Sequence, residues 1–167
     1  MAENKEKKYM PYPLLFEVDA FPLYKDKLKQ LVEELKAKPL FAYFYNNKIY
    51  IYILKEVEDA NKFNHLFDVQ NYLNVYNRIF NTNQTIEILP SNDPLLKIDG
   101  IIYMNKTLNT AELNYNLEII KNNTIDFIGN KEIESIDDFL KEIDNFIEEL
   151  KYRKEIFLNK VANAIML

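Results

Sequence analysis

The chain predicts an α+β fold, a mostly antiparallel sheet of about five or six strands with helices packed against it and a long C-terminal helix. Three observations carry that prediction. Residues 40–45 and 49–54 are two β-rich runs flanking Asn46-Asn47-Lys48, the pattern of a hairpin. Apolar residues recur at helical spacing before it, after it and again from Ile136 onward. Glycine occurs only twice, at Gly100 and Gly129, so no phosphate-cradling loop or nucleophile elbow can be written. That removes the nucleotide-binding α/β folds, and asparagine is expected to take over the turns.

Taken in order, residues 1–10 read as a disordered leader and 11–167 as a single domain, a size at which folding hides roughly 70% of the unfolded surface. Pro11 and Pro13 open an extended piece over residues 14–18. Asp19 and Pro22 mark a helix start, since proline is tolerated in the first turn. Leu28, Leu31, Val32 and Leu35 form its stripe, and Lys38-Pro39 ends it. In the hairpin, period two places Phe41, Tyr43 and Tyr45 on one face of the first strand. Ile49, Ile51 and Ile53 share a face of the second, opposite Tyr50 and Tyr52. Both faces are apolar, which predicts a central position covered on both sides.

A helix is expected over residues 58–80, with Phe63, Leu66, Phe67, Leu73, Tyr76, Ile79 and Phe80 as its apolar side. Strands are expected at 85–89, ended by Pro90, and at 98–104. Residues 111–121 fit either period: Leu113, Leu117 and Ile120 suit a helix, whereas Ala111, Leu113, Tyr115, Leu117 and Ile119 alternate as in a strand. The strand is preferred, because Asn122-Asn123 followed by residues 124–128 resembles a second hairpin. Ser135-Ile-Asp-Asp138 is a capping-box variant opening the last helix. Its stripe runs Ile136, Phe139, Leu140, Ile143, Phe146, Ile147 and Leu150, then Ile156, Phe157, Val161 and Ile165, with a break placed near residues 152–154.

Composition narrows the chemistry. Cysteine is absent, which removes disulfides, thiolate metal sites and cysteine nucleophiles. The polar N-terminal stretch is no signal peptide, and no apolar run approaches the length of a membrane helix, so a cytoplasmic protein without a transmembrane segment is expected. Lysine outnumbers arginine 19 to 2 and Ile, Asn, Tyr and Phe are abundant, all residues with A/T-rich codons. The composition resembles proteins of AT-rich viruses, plasmids and parasites, and a viral or mobile-element protein of this kind is expected in the host-cell cytoplasm. A net charge of −5 disfavours duplex nucleic acid as the main partner.

No cofactor is expected. His65, the single histidine, has no evident nucleophile beside it and reads as an ordinary boundary residue. Among the carboxylates Glu87, Asp93, Asp99, Glu118 and Asp126, the pair Asp99 and Glu118 with Lys121 resembles the Asp…Glu-x-Lys metal site of restriction-type nucleases, save that the spacing is Glu-x-x-Lys. Tyr43, Tyr45, Tyr50 and Tyr52 form a candidate base-stacking face, with Lys48 and Lys55 at its ends. Ile156, Phe157, Val161, Ile165 and Leu167 make the last segment more apolar than an exposed terminus, which points to its own core, a homodimer or a membrane surface. Glu132, Glu134, Asp137, Asp138, Glu142, Asp144, Glu148 and Glu149 form an acidic run that suggests mimicry of nucleic acid. The leading expectation is a non-enzymatic interaction protein binding a partner's surface, with a metal-dependent nuclease and a single-stranded nucleic-acid binder as alternatives.

Overall fold

The computed structural model describes residues 8–57, 62, 64–89, 95–98, 101–103, 107–123, 126–129 and 135–166. Its main sheet is antiparallel and has the order β7-β1-β3-β2-β8. The strands are β1 (Lys8–Glu17), β2 (Lys38–Tyr45), β3 (Lys48–Val57), β7 (Leu108–Asn109) and β8 (Asp126–Ile128). A second antiparallel sheet joins β4 (Ile86–Leu89), β5 (Leu95–Ile98) and β6 (Ile101–Tyr103) in that order. The helices are α1 (Phe21–Leu35), α2 (His65–Phe80), α3 (Thr110–Asn123) and α4 (Ile136–Met166). The class is α+β, as the patterning predicts.

The β2–β3 hairpin lies where its two apolar faces require. Strand β3 is central, paired with β1 from Lys8↔Val57 to Glu17↔Lys48 and with β2 on its other side. Asn46 and Asn47 both adopt positive φ, 54° and 62°, the geometry of a primed two-residue turn. Asn81 does the same after α2, so asparagine fills three of the four positive-φ non-glycine positions among the described residues, the fourth being Lys36.

One face of the sheet carries the core. Met10, Tyr12, Leu14 and Phe16 of β1, Ala42 and Phe44 of β2, and Ile49, Ile51 and Ile53 of β3 are buried together with the apolar sides of α1, α2 and α4. The other face carries Phe41, Tyr43, Tyr50 and Tyr52, and α3 packs over part of it. Gly129 follows β8 at a point with no room for a side chain: an added Cβ would lie 2.7 Å from the Phe127 ring and 2.9 Å from Phe41 Cβ.

Five expectations are corrected. β1 begins at Lys8, so residues 8–10 belong to a strand and Met10 is fully buried, not part of a leader. Proline is tolerated at Pro11 and Pro13 because β7 pairs with β1 only at Lys8 and Tyr9, so the β1–β7 ladder does not need their missing N–H groups. The second helix begins at His65, with Asn64 as its N-cap accepting from Phe67 N–H at 3.0 Å. The strand expected over 98–104 is two strands, since Ile98 pairs with Ile101. Residues 111–121 are helical: Asn109 Oδ1 accepts from Glu112 N–H at 2.8 Å while Glu112 Oε1 accepts from Asn109 N–H at 3.3 Å. This reciprocal cap starts α3 and outweighs the strand-like alternation. Finally, α4 runs unbroken for 31 residues, about 46 Å at 1.5 Å per residue. Residues 152–154 contain no helix breaker, and Glu149–Arg153 at 3.1 Å ties the turns there together.

Candidate functional site

The last half of α4 carries five of the ten exposed large apolar side chains among the described residues. Ser135 Oγ caps the helix by accepting from Asp138 N–H at 3.1 Å. Phe139, Leu140, Ile143 and Ile147 are then buried against the sheet and α1, with Phe146 and Leu150 partly buried beside them. From Lys151 to Ala164 every residue is exposed. Tyr152 and Phe157 each keep 64% of their surface, Leu158 54%, Val161 38% and Ile156 37%.

The apolar stripe does not stop where the body stops. Ile143, Ile147, Leu150, Lys154, Phe157 and Val161 follow one another at intervals of four and three, so Phe157 and Val161 continue the line that packs on the sheet. Lys154 is its only polar member. The helix therefore carries a core-type stripe beyond its own core. Fully burying a side chain of this kind is worth about 1.5–3 kcal/mol, so this extension holds several kcal/mol that its own chain does not use. Of the expected interface residues, the structure shows Ile156, Phe157 and Val161 outside the core. The side chain of Ile165 and the whole of Leu167 lie outside the described residues.

The rings of the tyrosine face stack on one another. Tyr43 lies across from Tyr50 with ring centroids 4.7 Å apart and planes 9° from parallel, and Phe41 stacks on Tyr52 at 4.5 Å. Phe127 of β8 stacks on Phe41 at 5.4 Å. The rings thus spend their faces on one another, and Phe41 and Tyr52 border an apolar hollow of about 230 Å³ beneath Leu113, Leu117 and Ile120 of α3. Tyr45 stands apart at the turn, 69% exposed. Lys55 is on the opposite face of β3, where its Nζ lies 3.3 Å from Asp68 Oδ1, so only Lys48 shares the tyrosine side.

This packing gives the face a pH signature. Burial, then the neighbouring phenols of Tyr52 and Tyr50, holds the Tyr43 hydroxyl well above the ordinary tyrosine range. Burial also raises Tyr52, offset in part by its hydrogen bond with Tyr43. A folded-state pKa above the unfolded value means stability is complete below about pH 10 and falls as pH rises past it. Melting temperatures should therefore be flat through neutrality and drop on the alkaline side, and Tyr43→Phe should soften the drop. An alkaline limb identical in the variant would show that Tyr43 ionises freely.

Only one member of the expected carboxylate pair, Glu118, lies within the described residues. Glu118 is exposed on α3 rather than on a strand, and Asp99 lies outside the described residues. Among the described residues no group of three or more His, Cys, Asp or Glu side chains is close enough to hold a metal ion. Much of the acidic run is engaged within the chain: Asp137 with Lys29 at 2.9 Å, Asp144 with Lys25 at 3.1 Å, Glu149 with Arg153, and Glu148 with Lys151 at 3.6 Å. Glu132 and Glu134 lie outside the described residues. His65 begins α2.

One polar cluster had no herald in the sequence. The Tyr12 hydroxyl donates to Asp68 Oδ2, Lys55 supplies the cation on Oδ1, and Tyr12 stacks on Tyr72 at 4.5 Å. Asp68 keeps only 7% of its surface and is the one buried charged side chain among the described residues. A tyrosine alternating within a strand and an aspartate in the first turn of a helix are each unremarkable alone; only the docking of α2 on β1 and β3 unites them.

Among the described residues no helix is long and apolar enough to cross a membrane. Comparisons with protein-family models, with curated proteins and with solved structures found no match, so the functional reading rests on the geometry of this chain alone.

Proposed function

We propose that this chain is a non-enzymatic interaction protein that acts by occupying a partner's surface, and that the exposed half of α4 is the element that docks. The observation that carries this reading is the continuation of a core-type stripe, through Phe157 and Val161, past the end of the core. A helix with apolar side chains at Ile156, Phe157 and Leu158 faces water on three sides, an arrangement that a second surface relieves.

Truncation after Arg153 tests it. The shortened chain, studied in dilute solution, should remain folded and melt within about 3 °C of the full chain, because a small free-energy change moves the midpoint of a domain this size by only a few degrees. Hydrogen exchange of the full chain at high dilution should find the amides of residues 154–166 poorly protected relative to those of 139–150. A truncation that melts far lower, or strong protection of residues 154–166 at the lowest concentration, would place the segment in the chain's own core and end this reading.

A further inference from the structure

Beside α4, on the side of the edge strand β8, lies a shallow hollow of about 330 Å³ lined by Phe127, Ile128, Gly129, Glu142, Phe146 and Glu149. Its floor is apolar and its rim acidic. On the same side of the helix the line that starts at Glu142 continues through Phe146, Glu149, Arg153, Ile156 and Lys160, at intervals of four and three. Arg153 is held on this line by Asp126 at 3.2 Å and Glu149 at 3.1 Å, with its guanidinium 5.5 Å from the Phe146 ring. The whole helix shares the polarity. Residues 136–149 hold six carboxylates and one lysine, whereas residues 151–160 hold four cations and one carboxylate.

We infer that the occupant of the exposed α4 half is a second copy of this chain, docked so that the two α4 helices run antiparallel about a two-fold axis near Lys151. The inference rests on reading that half as a docking element. About such an axis Glu142 meets the partner's Lys160, Phe146 meets the partner's Ile156 and Glu149 meets the partner's Arg153. Two-fold symmetry repeats each contact. Every charge on the line faces its opposite, and the one apolar residue in each half faces the other. The parallel arrangement sets Glu142, Glu149, Arg153 and Lys160 each against its own copy, so like charges repel along the whole line. In the antiparallel arrangement the exposed half of one α4 lies over the β8 edge of its partner, which brings the stripe of Phe157 and Val161 onto the apolar floor beside Phe127.

Charge reversal with rescue tests it. Light scattering over a dilution series should show a dimer of the full chain. Glu142→Lys and Lys160→Glu should each weaken it by at least about tenfold, because two symmetry-related pairs turn from attraction to repulsion. The double variant should restore the affinity to within a few-fold. The two residues are 18 positions apart, about 27 Å along the helix, so rescue can only pass between copies. Both side chains are exposed, and neither substitution touches the core. A dimer indifferent to the single reversals, or not rescued by the double, overturns the antiparallel register. A chain monomeric at every concentration overturns the second copy as occupant, and unprotected 154–166 amides in that monomer leave the docking reading standing. Binding of that monomer to phosphatidylserine-containing vesicles would assign the segment to a membrane surface instead.

Discussion

Phe139→Ala is expected to cost about 3–5 kcal/mol of folding stability, the usual range for removing a large aromatic from a packed interior. Phe139 is fully buried, one turn beyond the Ser135 cap, and with Ile143 and Ile147 it is what fastens α4 to α1 and the sheet. Phe157 has the same side chain on the same helix, 18 residues on, and retains 64% of its surface. Phe157→Ala in the dilute chain should therefore change stability by no more than about 0.5 kcal/mol. Denaturant unfolding of the two variants side by side, with unchanged slopes, measures the contrast. If the two substitutions cost the same, the division of α4 into an anchored half and an exposed half is wrong.

Asp68→Ala should cost about 2–3 kcal/mol. The carboxylate receives the Tyr12 hydroxyl and the Lys55 ammonium in a site almost closed to water, where charge-assisted hydrogen bonds are stronger than at the surface. Lys55 keeps 30% of its side-chain surface, so its share is discounted for solvent and the figure stays below that of a fully enclosed ion pair. The aspartate also lies in the first turn of α2, where negative charge is favoured by the helix dipole. Tyr12→Phe keeps the stack on Tyr72 and removes only the hydroxyl, and should cost about 1 kcal/mol. A double-mutant cycle between Tyr12→Phe and Asp68→Ala should give a coupling of at least about 0.5 kcal/mol. Strict additivity would mean that the hydroxyl does not act through Asp68.

The two substitutions probe different links between sequence and structure. Phe139 could be assigned to the core from periodicity, because Ile136, Phe139, Leu140, Ile143 and Ile147 repeat on one side of a helix whose start is marked by Ser135. The Asp68 site could not, since Tyr12, Lys55 and Asp68 belong to three elements and meet only through β1–β3 pairing and the seat of α2. Residues 110–123 fall between these cases. Their alternation of Leu113, Tyr115, Leu117 and Ile119 is genuine and misleading, whereas the deciding signal, Asn109 with Glu112 three residues on, is local and present in the sequence. The Asp99-Gly100 dipeptide is a similar case, a known hairpin signal between runs that pair at Ile98 and Ile101.

By itself the sequence determined what short-range physics determines. Asn46-Asn47 and the flanking β-branched and aromatic residues fixed the central hairpin, and two glycines with no cysteine removed whole classes of chemistry. The helical stripes of α1 and α4 followed from spacing alone. Only the tertiary structure decided which stretch of each stripe is covered. The spacing that runs through Ile143, Ile147 and Leu150 is the same spacing that runs through Phe157 and Val161, and nothing local distinguishes them. The difference is that burial stops at Leu150, and every residue from Lys151 to Ala164 is exposed. Periodicity specifies a direction around a helix axis, whereas burial depends on what the rest of the chain places in that direction, which is a property of long-range packing.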